Sequence, residues 1–248
     1  MHRGWRIPRK VSDAISSAVL YFKRISSSRR PVVAAASGEH SATFFFFHGL
    51  GDTGHGWCSS LASYKPPHVK VVCPTAKVIR VTLNMGMPMP AWFDLKSLKP
   101  GGAEDQQSLH AASLEVHKMI EDEVKAGIPY DRIVIGGFSM GGALALYSAL
   151  TFPHKLAGIV VLSGWMPVHQ EFQKNPSLMV GNKDTNLFQA HGDSDHVVPY
   201  VWGKMTAEHL SKINPNATFK TYSGLEHSSS DAELRDVKTF LQTVVPAK

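Results

Sequence analysis

The most constraining feature of this sequence is the regular alternation, from residue 41 onward, of short apolar runs with longer amphipathic segments. Two of the runs, Ile133–Ile135 and Ile159–Leu162, are apolar at every position, which is typical of parallel strands covered by helices on both faces. The alternation therefore predicts a doubly wound, mostly parallel α/β sheet in one domain. We expect strands at Thr43–Phe47, Val69–Cys73, Arg132–Phe138, Gly158–Leu162, Leu187–His191 and Thr218–Tyr222, and helices at Glu104–Ala126, Met140–Leu150, Tyr200–Lys212 and Ser230–Val244.

Two segments do not fit the alternation. Lys77–Lys99 is rich in large apolar residues but is interrupted by Pro and Gly, so we expect a long apolar loop. Gly164–Asn186 has no clear period, and only about twenty residues separate the strands on either side of it. That interval is too short for a large lid domain, and we expect an open site.

The positive charge of the chain is concentrated in its first thirty residues. The formal net charge is +6, yet residues 1–30 hold eight Lys or Arg and one acid, which leaves the remainder near neutrality. This distribution argues against nucleic-acid binding by the folded domain. The two cysteines, Cys58 and Cys73, are too few for a disulfide framework or a four-cysteine zinc site and are typical of an intracellular protein.

Residues 7–25 place apolar side chains at steps of three and four, which predicts a basic amphipathic helix. Three interpretations stay open: organelle targeting by residues 1–30, a weak contact with an anionic membrane surface, and an extension without either role. We therefore divide the chain into an N-terminal extension, residues 1–40, and an α/β domain, residues 41–248. We expect a cytoplasmic protein, membrane-associated if the second interpretation holds, with organelle targeting as the alternative.

Residues 137–141 fit the pattern G-x-S-x-G, with Ser139 at its centre. The pattern alone is weak, but it lies between a predicted strand and a predicted helix, the strand–turn–helix context of a nucleophile elbow. The helix N-terminus would supply a positive dipole and N–H groups where negative charge develops. The alternative is a glycine-rich turn without chemistry, and the downstream sequence argues against it.

A serine nucleophile requires a histidine base and an acid that orients it, and in this fold they follow the serine in the order acid, histidine. His227 is the only histidine after the last predicted strand. Asp193 and Asp195 both lie in the turn after the preceding strand, and spacing does not separate them. For the oxyanion we expect the backbone N–H groups of Leu50 and Met140, with the His48 side chain holding its loop.

Five motifs in family order then identify a resemblance: residues 48–57 (HGLGDTGHGW), 81–85 (VTLNM), 92–94 (WFD), 136–143 (GGFSMGGA) and 219–222 (FKTY). Over residues 42–246 the chain resembles the acyl-protein thioesterase and lysophospholipase family. The resemblance implies a single-domain α/β-hydrolase without a lid, and it implies Asp195 as the catalytic acid and His227 as the base. Met140 stands where many members have Gln, and the N-terminal segment has no cysteine to carry a lipid.

The resemblance implies a serine hydrolase that cleaves S-palmitoyl-cysteine thioesters of proteins, which would be its substrates and partners. The alternatives are a lysophospholipase or a short-chain carboxylesterase with the same triad, and a catalytically silent module that binds acylated peptides. The segment Lys77–Phe93 is a candidate acyl channel, with simple packing over the core as the alternative; the candidate residues are Leu83, Met85, Met87 and Trp92. No metal, phosphate-binding or dinucleotide pattern occurs, so no cofactor is expected.

Overall fold

A computed structural model describes residues 30–99 and 101–248 of the chain. Its central sheet has seven strands in the order β1-β3-β2-β6-β7-β8-β9, and all neighbours are parallel except β1 and β3. The strands are β1 Val32–Ala34, β2 Ala42–Phe47, β3 Val69–Cys73, β6 Ile133–Phe138, β7 Gly158–Leu162, β8 Leu187–Gly192 and β9 Ala217–Tyr222. The predicted doubly wound α/β sheet is confirmed, whereas the amphipathic helix predicted over residues 7–25 lies outside the described residues.

The inner strands are apolar on both faces because helices cover both faces of the sheet. In β2, Phe45 and Phe47 pack into one core cluster, while Phe44 and Phe46 pack into the other. All six residues of β2 and of β6 are buried. Such runs lack the alternation of a half-exposed strand, which is why the sequence pattern located them so well.

Six helices are described, and four of them agree with the predicted ones to within two residues at each end. The helices are α1 Gly54–Tyr64, α2 Gln106–Lys125, α3 Met140–Leu150, α4 His169–Lys174, α5 Tyr200–Ile213 and α6 Asp231–Val244. Helices α2, α3 and α5 contribute to one core cluster, and α1 and α6 contribute to the other. Among these helices none is both long and apolar enough to cross a bilayer.

Several details differ from the sequence-based expectations, and one of them is helix α1, which was not predicted. The predicted extension reaches into the fold, because Val32–Ala34 pairs antiparallel with β3 as an edge strand. The expected loop over Lys77–Lys99 is partly wrong, since β4 Val78–Val81 and β5 Met87–Pro90 form an antiparallel hairpin. The interval between β7 and β8 holds the six-residue helix α4 and a short turn at Pro176–Leu178.

The strand order reverses at β2. The chain first adds β3 on one side of β2 and later places β6 on its other side. In open α/β sheets the crevice at such a reversal, outside the carboxyl ends of the strands, is where ligands bind. The loops that follow β2 and β6 meet at this point, and they carry His48–Asp52 and Ser139.

Candidate active site

Ser139 lies between the last residue of β6 and the first residue of α3, with φ 55° and ψ −120°. A positive φ is strained for a residue with a side chain and costs on the order of 1–3 kcal/mol. The Ser139 N–H donates to the Leu162 carbonyl at 2.8 Å, which helps to hold this conformation. The result is a sharp strand-to-helix turn that lifts the hydroxyl above the carboxyl edge of the sheet.

The two flanking glycines are required because backbone passes very close to them. A Cβ at Gly137 would lie 2.3 Å from the Gly141 carbonyl carbon, and a Cβ at Gly141 would lie 2.0 Å from the Phe47 carbonyl oxygen. Both distances are well below van der Waals contact, and the neighbouring atoms are backbone rather than mobile side chain. The glycines therefore let α3 begin directly above the end of β2.

The structure brings Ser139, His227 and Asp195 together in one chain of hydrogen bonds. His227 Nε2 lies 3.0 Å from Ser139 Oγ, and His227 Nδ1 lies 2.7 Å from Asp195 Oδ2. Because the carboxylate accepts the Nδ1 hydrogen, Nε2 is the atom that accepts the hydrogen of the serine hydroxyl. The imidazole also packs on Phe138, with ring centroids 4.7 Å apart.

The Asp195 carboxylate is fully buried and accepts hydrogen bonds at both oxygens. Its Oδ1 accepts the N–H groups of Val197 and Val198, each at 2.9 Å, and its Oδ2 faces His227 and His191. Burial opposes ionisation of this group, but hydrogen bonds from His191 and His227 outweigh it and hold the pKa of Asp195 well below its usual range. The carboxylate is therefore charged across the working range of such a site.

Asp193, the other candidate acid, has a different environment. Its side chain is exposed, and its Oδ1 accepts the Gly224 N–H at 2.7 Å. That hydrogen bond lowers the pKa of Asp193. Two backbone hydrogen bonds run beside it, from Asp193 N–H to Tyr222 and from Ser194 N–H to Leu225. Asp193 thus ties the turn after β8 to the loop that carries His227.

The loop after β2 lies against Ser139 and is held by His48. His48 Nε2 accepts the Ala76 N–H at 3.0 Å, so its Nδ1 donates to the Gly49 carbonyl at 2.7 Å. Burial lowers the pKa of His48, which favours this neutral form. The Trp92 indole N–H donates to the His48 carbonyl at 2.8 Å. These contacts agree with the structural role predicted for the His48 side chain.

Leu50 and Met140 line the cavity beside Ser139, where the oxyanion donors are expected. Neither the Leu50 N–H nor the Met140 N–H has an acceptor among the described residues. Backbone donors that are fixed in place and unpaired can stabilise a negative oxygen without reorganisation. Met140 is also the first residue of α3, so the positive end of the helix dipole points toward the same place.

A cavity of about 390 Å³ opens beside Ser139, within the size range of small-molecule sites. One part of its wall is apolar and another part is polar. The apolar wall consists of Leu50, Trp57, Leu95, Leu98, Phe138, Met140 and Val197, and the polar part consists of Asp52, Ser139, His227, Ser228 and Ser229. Sequence reasoning missed Trp57, Leu95, Leu98 and Val197, although Val197 and Trp57 each follow a predicted site loop within a few residues.

The four predicted acyl-channel residues do not line this cavity. Among the described residues that line the cavity, none of Leu83, Met85, Met87 and Trp92 occurs. Leu83, Met85 and Met87 are 43%, 87% and 47% exposed, because they lie at the solvent end of the β4–β5 hairpin. Trp92 instead packs on Phe47 and His48. An abundance of apolar residues in a segment indicated a lipid-facing role but not the direction of each side chain.

Within the described part of the chain, no three or more His, Cys, Asp or Glu side chains are grouped so as to hold a metal ion. The chemistry that the described arrangement offers is that of a serine nucleophile with a histidine base. The hydroxyl, the base and the unpaired N–H groups all face one cavity, which is the geometry of acyl transfer.

Comparison with known proteins adds a family context. A sequence model described as phospholipase/carboxylesterase matches residues 28–245. Acyl-protein thioesterase 1 of Neurospora crassa is 41% identical over 214 residues, which cover 82% of this chain and 87% of that protein. Acyl-protein thioesterase 1 homolog 1 of Dictyostelium discoideum is 40% identical over 209 residues, covering 82% of this chain and 91% of that protein.

Solved structures show the same architecture. Arabidopsis thaliana SOBER1 matches with a TM-score of 0.76 and 30% identity, covering 83% of this chain and 99% of that chain. Acyl-protein thioesterase 2 of Zea mays matches with a TM-score of 0.76 and 31% identity, covering 87% of this chain and 99% of that chain. Together with the sheet order, these matches confirm the predicted single-domain fold.

Proposed function

The chain belongs to the phospholipase/carboxylesterase family of α/β-hydrolases, and we propose that it is an acyl-protein thioesterase that removes long acyl chains from protein cysteines. The observation that carries the proposal is the unbroken hydrogen-bonded chain from Ser139 Oγ through His227 to Asp195, beside a partly apolar cavity. Relatives that are about 40% identical over most of this chain carry the name acyl-protein thioesterase.

The reaction proceeds by two acyl transfers. Ser139 Oγ attacks the thioester carbonyl carbon while His227 Nε2 takes its hydrogen as a proton. The N–H groups of Leu50 and Met140 stabilise the oxyanion, the carbon–sulfur bond breaks, and the cysteine leaves as a thiol with the proton from His227. Water then attacks the acyl-serine ester with the same base, and the fatty acid departs as the serine is regenerated.

The cavity supports a substrate with an apolar acyl part and a polar leaving group. We assign the acyl chain to the wall formed by Leu95, Leu98 and Val197. The sequence-based prediction had instead placed it in the segment Lys77–Phe93. The leaving peptide would lie on the polar side, at Asp52 and Ser229. Only one short helix lies between β7 and β8, so a protein-sized leaving group can reach Ser139 from solution.

The decisive assay compares hydrolysis of a palmitoyl-cysteine peptide with hydrolysis of lysophosphatidylcholine and a short-chain oxyester. We expect a serine-dependent preference for the thioester, and Ser139→Ala should lower its turnover by about 10⁴–10⁶-fold. A preference for lysophosphatidylcholine or the oxyester would instead favour a lysophospholipase or a carboxylesterase. No labelling of Ser139 by a fluorophosphonate would leave only the silent binding module.

The acyl wall has a matched pair of variants. Leu98→Trp fills part of the cavity and excludes longer acyl chains sterically. The preferred chain length in a series of acyl thioesters should therefore become shorter. Leu83→Trp, on the exposed hairpin, should leave the length preference unchanged. The opposite result, with Leu83 controlling the length, would refute the assignment of the wall and restore the channel predicted from sequence.

We also propose that the protein acts on the cytoplasmic side of membranes, with the basic segment over residues 1–30 strengthening its contact with anionic lipid. The support is the net charge of that segment, which the near-neutral remainder does not share. Removing residues 1–30 should lower the membrane-bound fraction. An unchanged fraction would refute this role, and delivery of the full chain into an organelle would favour the targeting interpretation.

A further inference from the structure

A second histidine, His191, also contacts the proposed catalytic acid, and it is not among the residues that line the cavity. His191 Nε2 lies 3.3 Å from Asp195 Oδ2 and 2.9 Å from the Val198 carbonyl oxygen. Both neighbours are acceptors, so the hydrogen of the ring is on Nε2. It is donated mainly to the Val198 carbonyl, and Asp195 Oδ2 is the longer second contact of the same N–H. The Val198 N–H in turn donates to Asp195 Oδ1. The three residues therefore form a closed set of contacts around the carboxylate.

The fold makes specific room for the His191 ring. Its side chain is completely buried, and it packs against the backbone of α5 at Gly203. A Cβ at Gly203 would lie 2.4 Å from His191 Nδ1. Glycine within a helix costs about 1 kcal/mol relative to alanine, so its presence here has a packing reason. Gln189 fixes the same turn of helix by donating to the Gly203 carbonyl at 2.8 Å.

We propose that His191 is a positioning residue for Asp195, which keeps Oδ2 directed at His227 Nδ1. The inference rests on the proposed function, because it concerns the activation of Ser139. Each carboxylate oxygen then has its own fixed partners: two backbone N–H groups at Oδ1, and two imidazoles at Oδ2. Of the two imidazoles only His227 reaches the cavity, so His191 acts entirely through Asp195.

Without the His191 donor, Oδ2 keeps only His227 as a partner, and the carboxylate is held less firmly in the orientation that His227 needs. The same N–H holds the Val198 carbonyl and faces the buried carboxylate, so its loss removes both contacts and should slow the activation of Ser139 by about 10–100-fold. Substrate affinity should not change, because His191 does not line the cavity. The expected signature is therefore a lower kcat at constant KM.

The test measures the rate of Ser139 labelling by a fluorophosphonate probe, and kcat and KM on the palmitoyl-cysteine peptide. His191→Phe keeps the ring volume but removes the donor, and His191→Gln restores an N–H at a similar place. We expect a loss of about 10–100-fold for the first and recovery to within about fivefold of wild type for the second. In the Asp195→Asn background, His191→Phe should lower the rate by less than about a further threefold, because the two residues act as one unit.

Two further variants keep the inference testable if His191→Phe does not fold. Gly203→Ala keeps the His191 side chain but pushes a methyl group against its ring and displaces it, so it should slow labelling at least about fivefold. Val201→Ala, on the exposed side of the same helix, should label at the wild-type rate. The inference is wrong if His191→Phe lowers the labelling rate by the same factor in the wild-type and Asp195→Asn backgrounds. It is also wrong if Gly203→Ala labels at the wild-type rate. If the wild-type protein itself shows no Ser139-dependent labelling, the proposed function fails instead.

Discussion

The two aspartates of the turn after β8 should differ sharply when each is replaced by alanine. Asp195→Ala removes the acceptor for His227 Nδ1 and for the N–H groups of Val197 and Val198. Asp193→Ala removes the acceptor for one backbone group, the Gly224 N–H. The first change removes the partner of the proposed base, whereas the second removes only a hydrogen bond between two surface loops.

The sizes of the two effects follow from these contacts. Without Asp195 the imidazole loses both the orientation of its Nδ1–H and the negative charge that stabilises the imidazolium. In Ser-His-Asp enzymes the loss of this partner lowers kcat by about 10⁴-fold, which corresponds to about 5 kcal/mol of transition-state stabilisation. Without Asp193 the His227 loop keeps its two neighbouring backbone hydrogen bonds, so we expect less than about a tenfold loss.

The assay is kcat/KM on a palmitoyl-cysteine peptide, with thermal melting of each variant as the folding control. Asp193→Asn serves as a matched variant, because an amide oxygen can still accept the Gly224 N–H and should retain near wild-type activity. Losses for Asp193→Ala and Asp195→Ala that agree within about threefold, with both proteins folded, would refute the assignment of Asp195 as the acid.

Two further predictions concern stability. Gly141→Ala should destabilise the fold by about 3 kcal/mol and abolish labelling of Ser139, because its Cβ would lie 2.0 Å from the Phe47 carbonyl oxygen. The control is Gly38→Ala, whose Cβ would have its nearest neighbour 3.7 Å away. Equal urea midpoints for the two variants would contradict the argument. Burial and the nearby Asp236 raise the pKa of Glu233 from 4.5 to about 8. Between these values the unfolded chain releases a proton that the folded protein keeps, so stability should fall as pH rises, by up to about 1.4 kcal/mol per pH unit. Glu233→Gln should flatten this dependence in unfolding measured from pH 5 to 9, and an unchanged slope would show that another group is responsible.

The sequence predicted those parts of the fold whose burial leaves a mark on every residue. Strands β2, β6 and β7 are apolar at nearly all positions because both of their faces are covered. Helix α1 was missed because its buried stripe is short, Trp57, Cys58 and Leu61, among Gly and Ser residues of weak helix preference. Its stability comes from packing on β3 rather than from its own composition.

At some positions the neighbouring sequence does not indicate the structural role of the residue at all. Asn182 has φ 60°, and its side chain donates to the carbonyls of Ala149, Phe152 and His154. The sequence around it resembles an ordinary polar loop, yet this buried amide joins the end of α3 to the segment before β8. Such a contact depends on which distant carbonyls meet in space, and a single sequence does not contain that information.

The proposed site divides in the same way. The order of Ser139, an acid and His227 could be predicted because each follows the carboxyl end of a strand. The choice between Asp193 and Asp195 could not be made from spacing, since both lie in one turn. What distinguishes them is burial and the set of donors around each carboxylate. The residues that line the cavity could not be predicted for a related reason. In an irregular segment, the direction of each side chain depends on tertiary contacts.

The G-x-S-x-G pattern carries tertiary information as well as chemistry. A side chain at Gly141 would clash with the carbonyl of Phe47 at the end of β2. The glycine therefore indicates that α3 begins directly over the end of β2. That same strand continues into the loop that carries Leu50, so the proposed nucleophile and the proposed oxyanion donor are brought together by one close approach of backbone. A substitution that separates β2 from α3 should thus impair both parts of the site at once, even though it touches neither the serine nor the donor.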